Sequence, residues 1–318
     1  MIPALVLTAG LATRLRPLSR VRAKAALPVA GEPLVERILR WLAAAGVEEF
    51  VLNLHHLPET ITGLIGDGGG LGIRVRYSWE TPVLGSAGGP RHALSLLGSG
   101  AFLIVNGDTL TDVNIGEVLK EHRESAALVT MALVPNTEPD KYGGALVDER
   151  GAVTAFTRRG SGERSYHFIG VQVAQSTVFE PLPDHTPHES VGALYPELIR
   201  TRPGSIRAFI SQTAEFLDIG TPADYLQTSL RLGAREGRPS VSTGRGTRVE
   251  SSARLTDTVL WDDVTVGAGA RVERCVVADG VRIPSGTDWS DLTIRVPTAD
   301  LEPRESIHHG LAVAPIAR

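Results

Sequence analysis

The chain has 318 residues, 42% of them hydrophobic and 21% charged, with a formal net charge of −4. That balance supplies a packed core and excludes intrinsic disorder as the main state, which needs low hydrophobicity and high net charge. It leaves no basic excess for a nucleic acid or anionic membrane partner, and a single cysteine, Cys275, excludes a disulfide framework and a multi-cysteine metal site.

Ala4–Thr8 reads as a buried strand. The apolar run Ile2–Ala9 is too short to span a bilayer, and Arg14 and Arg16 follow it, the wrong order for a secretion signal. A reducing, cytoplasmic setting is expected. Leu34–Ala45 carries apolar residues at helical spacing and stops at Gly46. Strands are expected at Phe50–Leu54, Ile73–Trp79, Phe102–Val105 and Leu128–Val134, with helices at Pro58–Ile65, Gly89–Leu97 and Asn114–Arg123 between them. Apolar strands alternating with helices predict an α/β fold, a mostly parallel sheet covered on both faces. Ligands of such sheets bind at the carboxyl ends of strands, here the loop after Thr8 and the turn Asn106-Gly107-Asp108.

Residues 135–215 are less regular, with hairpin-like pieces at Gly144–Val147 and Val153–Phe156, a strand at Phe168–Val173 and a helical stretch near Ala193–Arg202. Phe216–Ile219 then runs into Gly220-Thr221-Pro222, and a helix Ala223–Glu236 follows with Pro222 at its first turn.

The last third repeats itself at an offset of 17 residues, Arg248–Leu260 on Thr265–Val277 and Val259–Gly269 on Val276–Gly286. Aliphatic residues recur about every six positions with small residues between, the pattern of a hexapeptide β-helix. Two to three coils are expected between about 241 and 295. Val249, Val266 and Ile283 should point inward at one corner, Leu255 and Val272 at another. Cys275 lies within the pattern opposite Thr258 and reads as structural. No pattern extends beyond Pro297. The expected division is 1–238, 239–296 and a tail 297–318.

The first loop, Thr8-Ala9-Gly10-Leu11-Ala12-Thr13-Arg14-Leu15-Arg16-Pro17-Leu18, combines small residues that admit an anion to the backbone with guanidinium groups suited to phosphate. Lys24 follows, before Leu27-Pro28-Val29. The loop is neither a Walker loop nor a dinucleotide fingerprint. Its plainer reading is a surface turn with solvated arginines. His55-His56 has no third ligand nearby in sequence and is not read as a metal site.

These residues, with Gly31-Glu32-Pro33-Leu34, Leu84-Gly85-Ser86-Ala87-Gly88-Gly89, Asn106-Gly107-Asp108, Tyr142-Gly143 and Asp218-Ile219-Gly220-Thr221-Pro222, occur in an order that resembles the sugar-1-phosphate nucleotidyltransferases. The resemblance covers about residues 4–235 and most resembles the mannose-1-phosphate guanylyltransferases. It implies a Rossmann-like domain followed by a short left-handed β-helix. It also implies a reaction in which a sugar 1-phosphate oxygen attacks the α-phosphorus of a nucleoside triphosphate and pyrophosphate leaves.

On that resemblance Arg14 holds the triphosphate and Lys24 the phosphates at the reacting centre. Mg²⁺ takes the carboxylates of Asp108 and Asp218. The plainer readings are a turn cap for Asp108 and a helix N-cap for Asp218. The nucleotide pocket draws on Ala9, Gly10, Ala12, Thr13, Gly85 and Gly88, with Glu80 as a partner for a base N–H or, alternatively, a solvated loop carboxylate. Gly143 and Arg158 lie on the sugar-phosphate side.

The chain departs from the family pattern at Ala12, where a glycine is usual, and at Ala25, where a proline is. Thr157-Arg158 stands in place of Glu-Lys. The resulting expectation is GTP plus mannose 1-phosphate giving GDP-mannose. A uridylyltransferase acting on N-acetylmuramate 1-phosphate or another sugar 1-phosphate is the alternative, or a non-catalytic paralogue that binds nucleotide sugar. A homo-oligomer with a β-helix contribution is expected, and no nucleic-acid or membrane partner.

Overall fold

A computed structural model describes residues 2–316. The chain divides into two compact units, Met1–Gly10 with Ile38–Leu217 and Leu11–Arg37 with Asp218–Arg318. These units cut across the linear division expected from the sequence, because the first loop groups with the C-terminal third.

The first unit is built on nine strands: β1 (Ala4–Leu7), β2 (Glu49–Leu54), β3 (Arg74–Trp79), β4 (Ala101–Asn106), β5 (Val129–Pro135), β6 (Gly144–Val147), β7 (Val153–Thr157), β8 (Tyr166–Gln175) and β9 (Ile206–Ile210). The order β3-β2-β1-β4 is parallel throughout, as the alternating pattern implies. Beyond β4 the sheet mixes directions, with β9 parallel to β5 and the other pairs antiparallel. β8 runs against both β4 and β5, and β6 pairs antiparallel with β7, so the sheet is mixed where a mostly parallel one was expected.

The helices are α1 (Leu34–Ala44), α2 (Glu59–Ile65), α3 (Gly85–Leu97), α4 (Ile115–Ser125), α5 (Tyr195–Thr201) and α6 (Pro222–Arg235). Asn114 caps α4 by accepting from the Glu117 amide. Leu5, Val51, Phe102, Ile104, Met131 and Phe179 are fully buried in one core cluster. No helix among the described residues is long and apolar enough to cross a membrane.

In the second unit the 17-residue repeat is a stack of parallel strands. Val249 pairs with Val266 and Val266 with Ile283; Leu255 pairs with Val272 and Val272 with Trp289. Just over three coils of a left-handed β-helix result, one strand of the fourth being Leu292–Arg295. Its corners need positive φ, and they repeat with the coil: Asp257, Arg274 and Asp291 at one, Gly246, Asp263 and Gly280 at another.

Val266, Val272 and Ile283 are buried, as expected for inward stacking, but Val249 is 40% exposed. Its strand pairs with the next coil on one side only, so the first coil leaves its aliphatic uncovered. The opposite end is closed. Leu311–Pro315 runs antiparallel to Leu292–Arg295, and Ser306–His308 pairs with it in turn. The segment after Pro297, read as patternless, is therefore this end's lid. Buried beneath it, Arg295 forms a two-pronged ion pair with Glu305, at 2.7 and 2.6 Å.

Cys275 lies in this core, fully buried. Burial pushes its thiol up to about 11, against smaller opposing hydrogen bonds. The thiolate is the reactive species, so the native protein should not react with an aromatic disulfide reagent at pH 7.5. One thiol per chain should react once denaturant is added; rapid native labelling would contradict the buried placement.

Candidate active site

In the first unit the site begins where β1 ends. The Thr8 amide donates to Asn53 Oδ1 at 2.6 Å, and the Thr8 hydroxyl donates to the Asn53 carbonyl. Asn53 Nδ2 donates to Glu80 Oε1 at 2.7 Å, and Glu80 Oε2 accepts from the Leu84 amide at 2.8 Å. Leu84 is the N-cap position of α3, so the carboxylate also lies at the positive end of that helix. Four chain segments are thereby tied at the carboxyl edge of the sheet.

Glu80 corrects the sequence reading. It is 3% exposed and both its oxygens are engaged by its own chain, so it is neither a solvated carboxylate nor aimed at a base. It positions the Leu84-Gly85 segment. The glycines of that segment serve close packing as well. A Cβ on Gly85 would stand 2.7 Å from the His188 carbonyl, and one on Gly88 would stand 2.6 Å from that of Thr186. The space beside them is thus filled by the 186–189 loop.

Ala9 is buried at the end of β1 and Gly10 is exposed. The Gly107 amide donates to the Leu7 carbonyl at 2.8 Å, so the Asn106-Gly107-Asp108 turn folds against the same strand end. A Cβ on Gly107 would stand 2.5 Å from that carbonyl oxygen. Asp108 is half-buried in the turn. Behind it Gly170, at φ +76°, occupies the irregularity of β8, and any Cβ there would collide with the Thr109 hydroxyl. Gly143 is exposed and packs on the Thr157 carbonyl; Arg158 is exposed one residue on.

In the second unit Ala12 adopts the left-handed conformation, φ 47° and ψ 45°, immediately before a 3₁₀ turn Thr13–Leu15 that presents Thr13 and Arg14 to solvent. The Ala12 carbonyl accepts from the Leu15 amide at 3.0 Å and the Ser19 hydroxyl at 2.9 Å. Lys24 is half-buried on a second 3₁₀ turn, Lys24–Ala26, with Ala25 buried. Arg14 and Asp218 meet at Gly220. The Arg14 Nη1 and both Asp218 carboxylate oxygens lie 3.2–3.3 Å from where a Gly220 Cβ would stand.

Asp218 is not the cap of α6. Thr221 is, in a capping box with Asp224. A carboxylate is the hard oxygen donor type that Mg²⁺ takes; Asp108 offers one in the first unit and Asp218 one in the second.

Arg22 escaped the sequence reading. Its guanidinium grips Asp279 by two hydrogen bonds, at 2.7 and 2.6 Å, reaches Asp262 at 2.8 Å, and lies over the Trp261 ring at 5.4 Å. Burial alone would lower its affinity for a proton, but the two carboxylates outweigh this and raise it. Arg16 and Arg20 both pair with Glu302. The loop that presents Arg14 and Lys24 is fastened to the β-helix by these ties. Asp262 and Asp279 are 17 residues apart, and that repeated aspartate was the available signal.

Comparison with known proteins agrees with this architecture. Residues 3–235 match the Nucleotidyl transferase family, and residues 238–289 match the family described as GlmU-like, C-terminal hexapeptide. The mannose-1-phosphate guanylyltransferase of Mycobacterium tuberculosis is 29% identical over 90% of this chain and 82% of its own. The UTP–glucose-1-phosphate uridylyltransferase of Synechocystis is 26% identical over 88% of this chain and 76% of its own. The N-acetylmuramate alpha-1-phosphate uridylyltransferase of Neisseria meningitidis is 32% identical over 73% of this chain and 98% of its own. HddC from Yersinia pseudotuberculosis shares the fold with a TM-score of 0.64 at 21% identity, over 73% of this chain and all of that one. The chain belongs to the nucleotidyl transferase family and is a sugar-1-phosphate nucleotidyltransferase. Members of this family typically use a divalent metal.

Two substitutions probe this geometry. In Glu80→Gln the amide can accept from Asn53 or from Leu84 but not from both, leaving one buried donor unmet at a cost of about 1–3 kcal/mol. A lower melting temperature and a raised KM for the triphosphate are expected; an unchanged KM would detach the relay from the nucleotide side. Ala12→Gly removes the penalty of a Cβ at positive φ, roughly 1–2 kcal/mol, offset in part by glycine's greater unfolded-state entropy. Thermal denaturation should show equal or higher stability. A clear loss would mean that the left-handed conformation at Ala12 is not the native one.

Proposed function

We propose that this enzyme transfers a guanylyl group from GTP to mannose 1-phosphate, giving GDP-mannose and pyrophosphate. The observation that carries this reading is extent. Similarity to relatives named mannose-1-phosphate guanylyltransferase runs through both the catalytic segment and the hexapeptide coils, over 88–90% of the chain. Arg14 and Lys24 take the phosphates, and their charge offsets what develops on the oxygens as pyrophosphate departs. Mg²⁺, with Asp108 and Asp218 as its carboxylates, supplies charge neutralisation and alignment of the phosphates. Ala9, Gly10, Ala12, Thr13, Gly85 and Gly88 border the nucleotide, and Gly143 and Arg158 the sugar phosphate. Residues 1–238 carry the chemistry in this reading, and the β-helix contributes to a homo-oligomer.

A uridylyltransferase is the second reading, favoured by the 32% identity to the N-acetylmuramate enzyme and by the 88% coverage of the glucose one. Pyrophosphate release measured for four triphosphates against a panel of sugar 1-phosphates separates the two. GTP with mannose 1-phosphate should give the highest kcat/KM; a preference for UTP would overturn the first reading in favour of the second. Lys24→Ala should lower kcat by about 10²–10³ if the lysine stabilises the transferring phosphoryl group. Unchanged kinetics would remove Lys24 from the transfer step.

A further inference from the structure

Among the described residues one group gathers three metal-binding side chains, and it lies outside the residues assigned to substrates. The ligand atoms of His92, Asp184 and His185 all lie within 4.8 Å of one another. His92 is on α3, and the two others are in the loop that packs over its first turns. This loop is tied down on both sides, by Arg91 Nε donating to the Leu182 carbonyl and by the Ala87 amide donating to the His188 carbonyl.

The hydrogen bonds of His92 define its tautomer. Nε2 is 3.1 Å from the Trp79 carbonyl, which can only accept, so Nε2 carries a proton. In a neutral ring Nδ1 then holds a lone pair. Yet Nδ1 faces Asp184 Oδ1 at 2.8 Å, a second acceptor. A lone pair and a carboxylate at that distance require a cation between or beside them, either a second ring proton or a metal ion. The carbonyl-bound Nε2–H is the outer arrangement that orients metal-ligating histidines.

His185 completes the set. Its backbone is held at φ +56°, its amide donates to Asp184 Oδ1 at 2.8 Å, and its Nε2 is 3.9 Å from Asp184 Oδ2. A tetrahedral zinc ion with bonds of about 2.1 Å wants donors about 3.4 Å apart. The His92–Asp184 and His185–Asp184 separations, 2.8 Å to one carboxylate oxygen and 3.9 Å to the other, lie either side of that value, and no pair in the group exceeds 4.8 Å, so small side-chain rotations bring the three donors to it. Two imidazoles with one carboxylate suit zinc, whereas Mg²⁺ demands oxygen donors. The His185 side chain is 68% exposed, so the group opens to solvent and a water can take the fourth position.

We infer that His92 Nδ1, a carboxylate oxygen of Asp184 and the His185 imidazole bind one Zn²⁺, separately from the Mg²⁺ of the reaction. The ion joins the 182–189 loop to α3. That loop carries the Thr186 and His188 backbone groups packed against Gly88 and Gly85, so binding should stiffen the segment beside the nucleotide.

The test titrates Zn²⁺ into the chelator-treated full chain in saturating Mg²⁺, against a chromophoric zinc indicator. One zinc per chain is expected, with an affinity on the order of micromolar that Mg²⁺ does not compete away. Binding should weaken from pH 7.5 to 5.5, because histidine ligands must be deprotonated. His92→Ala and His185→Ala should each weaken it by roughly tenfold or more. His185 is exposed, so its truncation keeps the fold, and circular dichroism checks this. His308→Ala, an exposed histidine elsewhere, serves as control and should leave binding unchanged. Equal zinc binding by the wild type and His185→Ala, or none at about 100 µM zinc, would overturn the proposal and leave an imidazolium–carboxylate pair.

Discussion

The carboxyl edge of the parallel sheet is held by one buried carboxylate. Glu80 accepts from Asn53 on β2 and from the amide that opens α3, and Asn53 in turn binds both polar groups of Thr8 at the end of β1. Strand ends at a sheet edge leave backbone donors and acceptors without ladder partners, and such groups are costly if buried unmet. Here one short relay satisfies them and fixes the entry of the first loop. The same relay dictates small residues nearby. A Cβ on Gly89 would stand 2.8 Å from Glu80 Oε1 and 3.0 Å from Asn53 Nδ2. The glycine-rich segment is thus shaped by internal packing before any ligand is considered.

A different device organises the second unit. The strands of a β-helix make their ladder hydrogen bonds to the next coil, so the fold depends on each coil covering its neighbour. Its regularity places equivalent aspartates, Asp262 and Asp279, one above the other, where like charges would repel. Arg22 lies across both and over Trp261, whose indole N–H donates to the Tyr225 hydroxyl at 3.0 Å. Tyr225 in turn donates to the Pro28 carbonyl. The loop from Leu11 to Arg37 is consequently part of the C-terminal unit's packing, although it lies far away in sequence.

What the sequence made legible follows from which forces are periodic. The parallel strands were readable because both their faces are covered, leaving continuous apolar runs. The coils were readable because inward aliphatics and corner residues recur every 17 positions. The lid after Pro297 was not, since its register comes from the sheet edge it closes and not from any period of its own. The start of α3 was placed four residues late, because the three glycines among residues 85–89 weaken the helical signal, and the 186–189 loop packs against this turn. The plainer reading of Asp218 as the cap of α6 failed because Thr221, paired with Asp224 in a capping box, takes that place. Glu80 was misread because nothing local distinguishes a buried carboxylate from a solvated one. Its partners come from positions 53 and 84, and only the folded sheet brings them together.

The departures from the family pattern can be weighed in the same terms. Ala12 stands where glycine is usual and still takes positive φ, against a penalty of roughly 1–2 kcal/mol. It does so because its surroundings impose that conformation. Its carbonyl accepts from Leu15 and Ser19, while Arg16, Arg20 and Arg22 anchor the following residues to Glu302, Asp262 and Asp279. A loop so over-determined does not need the freedom of glycine to reach its shape. The Cβ of Ala12 adds a strain that these ties absorb, and Arg14 stays beside Asp218 at Gly220. The missing glycine is therefore weak support for a non-catalytic paralogue, because the geometry that glycine ordinarily permits is present without it.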